Sequence, residues 1–271
     1  MDFDFKHISV PFRMQPGLSR LPPGSLHLRT LDPGSELFRE KRAVSRLGAA
    51  LHCMPGFDPA AALATIRHQA SRSGIHGLGD ADKALELLVA QDLAVFDAAT
   101  GTVPWLCVCV PSGWAPEEKL GLDLAAIHAP VAGSAALNAA WPQLLRLVSD
   151  GSDWQRHVWT VSPSPRYDQH PYRHARTDWP QTADPAAFAA QCYLRVEHQT
   201  LLPVHDASGR RVPQTMFTID LMLEPLSEAV RTREQAQRLS AALQSMDDPV
   251  LAYKNLAAAR APLLQWLSGW P

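Results

Sequence analysis

Apolar residues recur along this chain with two periods, and the period changes several times. Leu37, Val44, Leu47 and Leu51 fall at helical spacing after Asp32-Pro33, which predicts a first helix over 36–50. Pro59 opens a second helix reaching Gln69, and Ala81 a third reaching Val89. Leu93 to Phe96 and Trp105 to Val110 read as a hairpin turned by Asp97 through Gly101. Cys107 and Cys109 alternate inside its apolar second arm, which suits a buried strand. After Ala115-Pro116-Glu117-Glu118 a short helix should run to just before Pro130, because proline and acids favour a helix start. Ala135 to Val148 predicts another helix, with Pro142 as a kink site. Strict alternation then marks strands at Trp154 to Val161, Tyr193 to Leu201 and Met216 to Leu223. Ser162 to Pro185, rich in proline, tyrosine and histidine, must be a long loop. Ser227 to Met246 and Pro249 to Leu267 return to helical period.

These elements predict an α/β (α+β) fold, an antiparallel sheet of about five strands wrapped by helices. Residues 1–33 are dense in Pro and Gly and should form an extended arm. Residues 34–226 would be the main domain, and 227–271 a helical extension packed on it. The basic residues of the first helix, Arg39, Lys41, Arg42 and Arg46, read most simply as a solvated face.

Composition narrows the function classes. A net charge of −2 gives no electrostatic case for nucleic acid, which needs a basic patch. No stretch approaches the roughly 20 apolar residues that cross a bilayer, and Met1 to Asp4 lacks the positive start of a secretory signal. A cytoplasmic protein with reduced thiols is expected. Cys53, Cys107, Cys109 and Cys192 are scattered, and Cys107-x-Cys109 reads as strand packing rather than a zinc site. The loop Ser73 to Gly79 lacks the Lys-Ser/Thr of a phosphate loop.

Candidate chemistry gathers in Trp114 to Val131. His128 sits near a helix end ahead of Pro130, which restrains its neighbour Ala129. Such a histidine is either an ordinary hydrogen-bonded side chain or a metal ligand, with His76 in the glycine-rich loop as the second candidate. Arg195 and Glu197 lie two apart on a strand and therefore share a face. On a solvent face they are surface charges; on a pocket face Arg195 can pair with Glu197 or with an anionic group, and Glu197 can order a water or an amine.

The segment Trp114 to Val131 resembles the W-x-P-x-x-K-x-G…I-H-x-P-V signature of the haem-dependent oxidative N-demethylase family, alpha-subunit-like. Phe12-Arg13-Met14 with Gly17-Leu18, Gln91-Asp92-Leu93, the block Arg195-Val196-Glu197-His198-Gln199-Thr200-Leu201 and Met216-Phe217-Thr218-Ile219 agree with it in order. The resemblance implies a PAS-like haem domain that activates dioxygen on a small amine, using haem b and electrons from a separate flavin and iron–sulfur reductase. It implies His128 as the axial iron ligand, Trp114, Lys119, Arg156 and Trp159 beside the cofactor, and Glu197 and Arg195 as catalytic. A non-catalytic haem-binding sensor of PAS type is the alternative. Asp220 stands where the family commonly has Arg; facing the pocket it would favour a larger or more cationic substrate, facing away it would be a surface substitution.

Overall fold

The structure, a computed structural model, describes residues 3–14, 17–78, 84–129 and 150–270. The sequence-predicted helix over Ala135 to Val148 lies outside them, as do Pro130 and Val131.

Seven antiparallel strands form one sheet among the described residues: β1 (Ser19–Arg20), β2 (Leu51–Cys53), β3 (Asp92–Asp97), β4 (Thr102–Cys107), β5 (Trp154–Ser162), β6 (Tyr193–His205) and β7 (Arg211–Pro225), in the order β1-β5-β6-β7-β3-β4-β2. The mixed, antiparallel class is the predicted one. The two strands beyond the expected five are β1 and β2, edges of two and three residues, too short to establish a period in sequence. β6 and β7 form a long central hairpin closed at Asp206 to Arg210, where Gly209 takes a positive φ of 82°.

Helix α1 (Glu36–Arg46) begins at Ser35, whose side chain accepts from the Phe38 amide, and stops at Arg46, short of the predicted end. Helix α2 (Ala60–Arg72) follows. The predicted third helix is reduced to one 3₁₀ turn over Leu85–Leu87 within the described residues. The predicted short helix ahead of Pro130 appears in two parts, a 3₁₀ turn over Pro116–Glu118 and α3 (Leu124–His128), because Gly121 at φ 77° interrupts the run. Helix α4 (Pro185–Ala189) leads into β6. The two helices foreseen after β7 come as four: α5 (Leu226–Ala229), α6 (Arg233–Ser245), α7 (Asp248–Tyr253) and α8 (Arg260–Ser268). Extended backbone at Val230 makes the first unforeseen break, after which Thr232 with Gln235 forms a capping box that starts α6, and Asn255 at φ 57° lies in the second, between α7 and α8.

Strand alternation separates two sheet faces with different coverings. On one, Trp159, Val161, Leu194 and Val196 pack against Phe3, Phe5 and Ile8 of the arm and against Leu226, Leu239, Leu243 and Leu263 of the C-terminal helices. Further along that face Leu93, Val95, Trp105 and Met216 receive Ala62 and Ile66 of α2. On the other, Ala94, Phe96, Leu106 and Phe217 meet Trp114, Leu120, Leu124 and Ile127. The motif segment around Trp114 is therefore the lid of the second face. Among the described residues no helix is long and apolar enough to cross a membrane.

Lys41 corrects the solvated reading of α1. It is 0% exposed, its Nζ 3.1 Å from Asp92 Oδ1 and donating to the carbonyls of Val89, Ala90 and Gln91. The helical period places it on the inner flank, where a strand start supplies acceptors. The cysteines behave as packing: Cys107, Cys109 and Cys192 are buried and burial raises each thiol's pKa, to about 12 for Cys192.

The arm is docked in part by stacked histidines. His7 lies 3.9 Å, centroid to centroid, from His157, which lies 4.5 Å from its cross-strand neighbour His198. Burial, then repulsion from His198 and His7, pushes His157 down to about 3 from 6.5. Burial also lowers His7 and His198. A base with a depressed folded pKa leaves the unfolded chain as the better proton binder. The stability is therefore whole above pH 6.5 and falls as pH drops towards 3. Urea midpoints should fall over that window, by up to ~1.4 kcal/mol per pH unit for each proton taken up. His157→Phe should flatten the slope; an unchanged slope would discard this account.

Candidate functional site

The site grows from the odd-numbered positions of β6. Arg195, Glu197 and Gln199 point to the same side as Arg156 of β5, which is in register with Gln199. They form a continuous hydrogen-bonded chain. Arg156 Nε donates to Gln199 Oε1 at 2.5 Å, and Gln199 Nε2 donates to Glu197 Oε2 at 2.6 Å. The Ser112 hydroxyl donates to the other carboxylate oxygen, Glu197 Oε1, and Arg195 Nε donates to Ser112 Oγ at 2.8 Å. A carboxylate with donors on both oxygens has a fixed direction.

Arg195 is 2% exposed and spent in other bonds. Its Nη1 donates to the Arg166 carbonyl at 3.1 Å, and its Nη2 to the carbonyls of Val110 at 3.2 Å and Tyr167 at 2.8 Å. Every nitrogen is thus engaged, through four of the five N–H donors of the group. It reaches Glu197 only through Ser112, so the direct pairing considered from sequence is replaced by a relay. Arg195 ties the end of β4's extension to the proline-rich loop 163–184. That loop is pinned further by Glu40, which accepts from the Tyr167 and Asp168 amides at 3.0 and 2.7 Å, and by His170, 3.1 Å from Glu117. Burial raises the Glu40 pKa against those amides.

Arg156 is the opposite case. The residue is partly buried, and burial lowers its pKa while Glu197 opposes the shift. Only Nε is bonded; both terminal nitrogens lack a hydrogen bond among the described residues. The same face offers Val158, 37% exposed at mid-strand, with half-buried Phe217 and Ile219 beyond.

His128 closes this side. Asp123 caps α3 by accepting from the Ala126 amide, and one turn of helix later the His128 Nδ1 meets the Leu124 carbonyl at 2.7 Å. A carbonyl only accepts, so the proton sits on Nδ1 and Nε2 carries the ring's lone pair. Burial lowers the His128 pKa despite that bond, and the charges of Arg156 and Lys119 lower it further, so the ring is neutral at pH 7. A neutral imidazole oriented through Nδ1 is the form that ligates metals.

A model of the family described as haem-dependent oxidative N-demethylase, alpha subunit-like, matches residues 77–264. The chain belongs to this family. The match runs from the glycine-rich loop to α8 and includes every strand from β3 to β7.

Trp114, Lys119, His128, Arg156 and Glu197 are brought to one face, Trp114 by its packing against the cluster of Ala94, Phe96 and Leu106. Arg195 is on that face as a buried tie. Trp159 is not brought there. It lies three residues from Arg156, so alternation turns it to the other face, where it is 4% exposed and meets Phe12 edge-on at 5.8 Å. Asp220 also lies on that other face, paired across from His198, and its carboxylate accepts from Arg29 at 2.6 and 3.2 Å and from Gln91 at 3.0 Å. The altered charge is thus away from Glu197. Gln199 and Ser112 were missed as site residues. Period two from Glu197 points to Gln199, whereas Ser112 reads only as a strand terminator until the fold closes. Lys254 was missed as well: its Nζ donates to the Trp159 carbonyl at 2.7 Å, and burial takes its pKa down to about 8, opposed by Glu197.

Proposed function

We propose that this chain is the haem-carrying subunit of an oxygen-using enzyme that oxidises a small amine, with His128 as iron ligand and Glu197 as the group that receives the amine. The observation that carries the reading is the donor set on one sheet face: a neutral imidazole held through Nδ1, a guanidinium whose terminal nitrogens have no hydrogen bond among the described residues, and a carboxylate held from both sides. These residues fit haem b. Nε2 of His128 suits iron, and the terminal nitrogens of Arg156 suit a propionate, which a bidentate fork holds best. Bound there, haem supplies the iron at which dioxygen is reduced, with electrons from a separate flavin and iron–sulfur reductase. The alpha-subunit-like name of the family supports a multi-subunit assembly.

The chain's own residues do the rest. Glu197 accepts a hydrogen bond from the amine nitrogen and can take its proton, while Ser112 and Gln199 keep the carboxylate from rotating away. Arg195 positions Ser112 and stays out of contact with the substrate. Val158, Phe217 and Ile219 provide an apolar floor on which a methyl group can rest.

A Soret band in the purified, haem-supplemented protein is the first test, and its absence ends the reading. Glu197→Gln should keep that band and cut amine turnover ~10²-fold, the usual contribution of a positioned acid or base. Unchanged turnover would return Glu197 to a structural role within the polar chain.

A further inference from the structure

The reverse face of the same sheet carries a cavity that the haem reading does not use. Its volume is about 430 Å³, within the range of roughly 300–1,000 Å³ for small-molecule sites. Its lining includes His27, Ser73, His198, Thr200, Thr218 and Asp220. His198 and Asp220 are cross-strand partners, as are Thr200 and Thr218, and all alternate with Glu197 and Gln199. The sheet therefore lies between this cavity and the Glu197 site.

Two buried polar atoms here have no hydrogen-bond partner among the described residues. One is His27 Nδ1, on a side chain 1% exposed, and the other is Ser73 Oγ. His27 Nε2 lies 3.0 Å from the Asp153 carboxylate, which can only accept, so Nε2 keeps a proton and Nδ1 is the acceptor in the matching tautomer. Asp220 adds a second acceptor. Its carboxylate can take about four hydrogen bonds and already takes three, from Arg29 twice and from Gln91. Arg29 neutralises it from the mouth with a side chain 54% exposed, whereas that of Asp220 is 18% exposed, so the deeper charge is the negative one. Both ends of the Arg29 guanidinium used on Asp220 are lost to an incoming anion.

We infer that this cavity is a binding site for a small molecule rich in hydroxyl and amine N–H donors, neutral or cationic, and that it excludes anions. Its ligand donates to His27 Nδ1 and Asp220, exchanges hydrogen bonds with Ser73, and rests on the Thr200–Thr218 pair, whose hydroxyls are 2.7 Å apart. Leaving buried acceptors without donors is costly, which is the driving force for occupancy.

Calorimetry on the full-length haem-loaded protein tests this with three probes: diethanolamine, glycerol and glycolate. Diethanolamine should bind tightest, glycerol more weakly and glycolate not at all. Asp220→Asn keeps the side-chain volume and should weaken diethanolamine ~10-fold or more while leaving glycerol unchanged. Ser73→Leu fills the cavity and should remove both. Glu197→Gln, on the other face, should leave all three titrations as they are. Heat from no probe means a cavity that holds only water, and overturns the inference. Equal binding of glycolate overturns it too, as does diethanolamine binding that is lost in Glu197→Gln but kept in Asp220→Asn and Ser73→Leu; that last result would assign the amine to the Glu197 face, leaving the proposed function standing.

Discussion

His128→Ala is expected to lose stoichiometric haem, with affinity falling by more than the ~10- to 100-fold that outer-shell changes alone cause at metal sites. The expectation follows from how the ring is held. Asp123 starts α3, the helix carries His128 to its last turn, and the Leu124 carbonyl takes the Nδ1 proton at 2.7 Å. Iron would then meet a nitrogen already deprotonated and already aimed, and no energy is needed to remove a proton, since burial keeps the ring neutral at pH 7. Absorbance titration with haem checks the loss, and added imidazole should restore the band if the protein remains folded. His76→Ala is the control: His76 is exposed in the loop before residue 79 and should bind haem as the parent does. A parental spectrum in His128→Ala, with loss in His76→Ala, would move the ligand to the loop and leave the fold untouched.

Lys41→Ala is expected to destabilise the protein by ~3–5 kcal/mol, the effect of removing one partner of a buried ion pair. Typical domains hold only ~5–15 kcal/mol in all, so the variant should be partly unfolded or poorly expressed. Lys41 and Asp92 are 0% and 2% exposed, and Asp92 Oδ1 has the Lys41 ammonium as its counter-charge with no hydrogen bond of its own among the described residues. Burial pushes the Lys41 pKa down, but Asp92 and the neighbouring thiols hold it above its ordinary value. The pair also supports the site. Asp92 Oδ2 accepts from the Val110 amide at 2.8 Å, and the Val110 carbonyl is one acceptor of Arg195. Urea unfolding measures the loss. The double change Lys41→Met with Asp92→Leu should recover most of it, because two apolar groups need no counter-charge. A loss below ~1 kcal/mol in Lys41→Ala would show the ammonium to be dispensable.

Much of the site could be read from strand alternation. Arg195 and Glu197 share a face because they are two apart, and that rule needs no tertiary information. It also separates Arg156 from Trp159, although the family resemblance grouped them beside one cofactor. Covering was beyond reach: whether a face meets solvent, helices or a lid depends on which segment folds over it. Lys41 illustrates this, since a basic residue in a basic run reads as solvated until the start of β3 supplies three carbonyls and a carboxylate.

The sequence by itself determined the five long strands, the antiparallel α/β class, the paired placement of Arg195 and Glu197, and the family to which the chain belongs, because period and motif order are local properties. Tertiary structure alone decided that Ser112 joins Arg195 to Glu197, that Arg195 is a buried tie while the terminal nitrogens of Arg156 have no hydrogen bond among the described residues, and that Asp220 answers to Arg29 on the reverse face. The reason is physical. A hydrogen-bond partner 83 to 191 residues away is selected by sheet register and loop closure, and neither leaves a periodic trace in the chain.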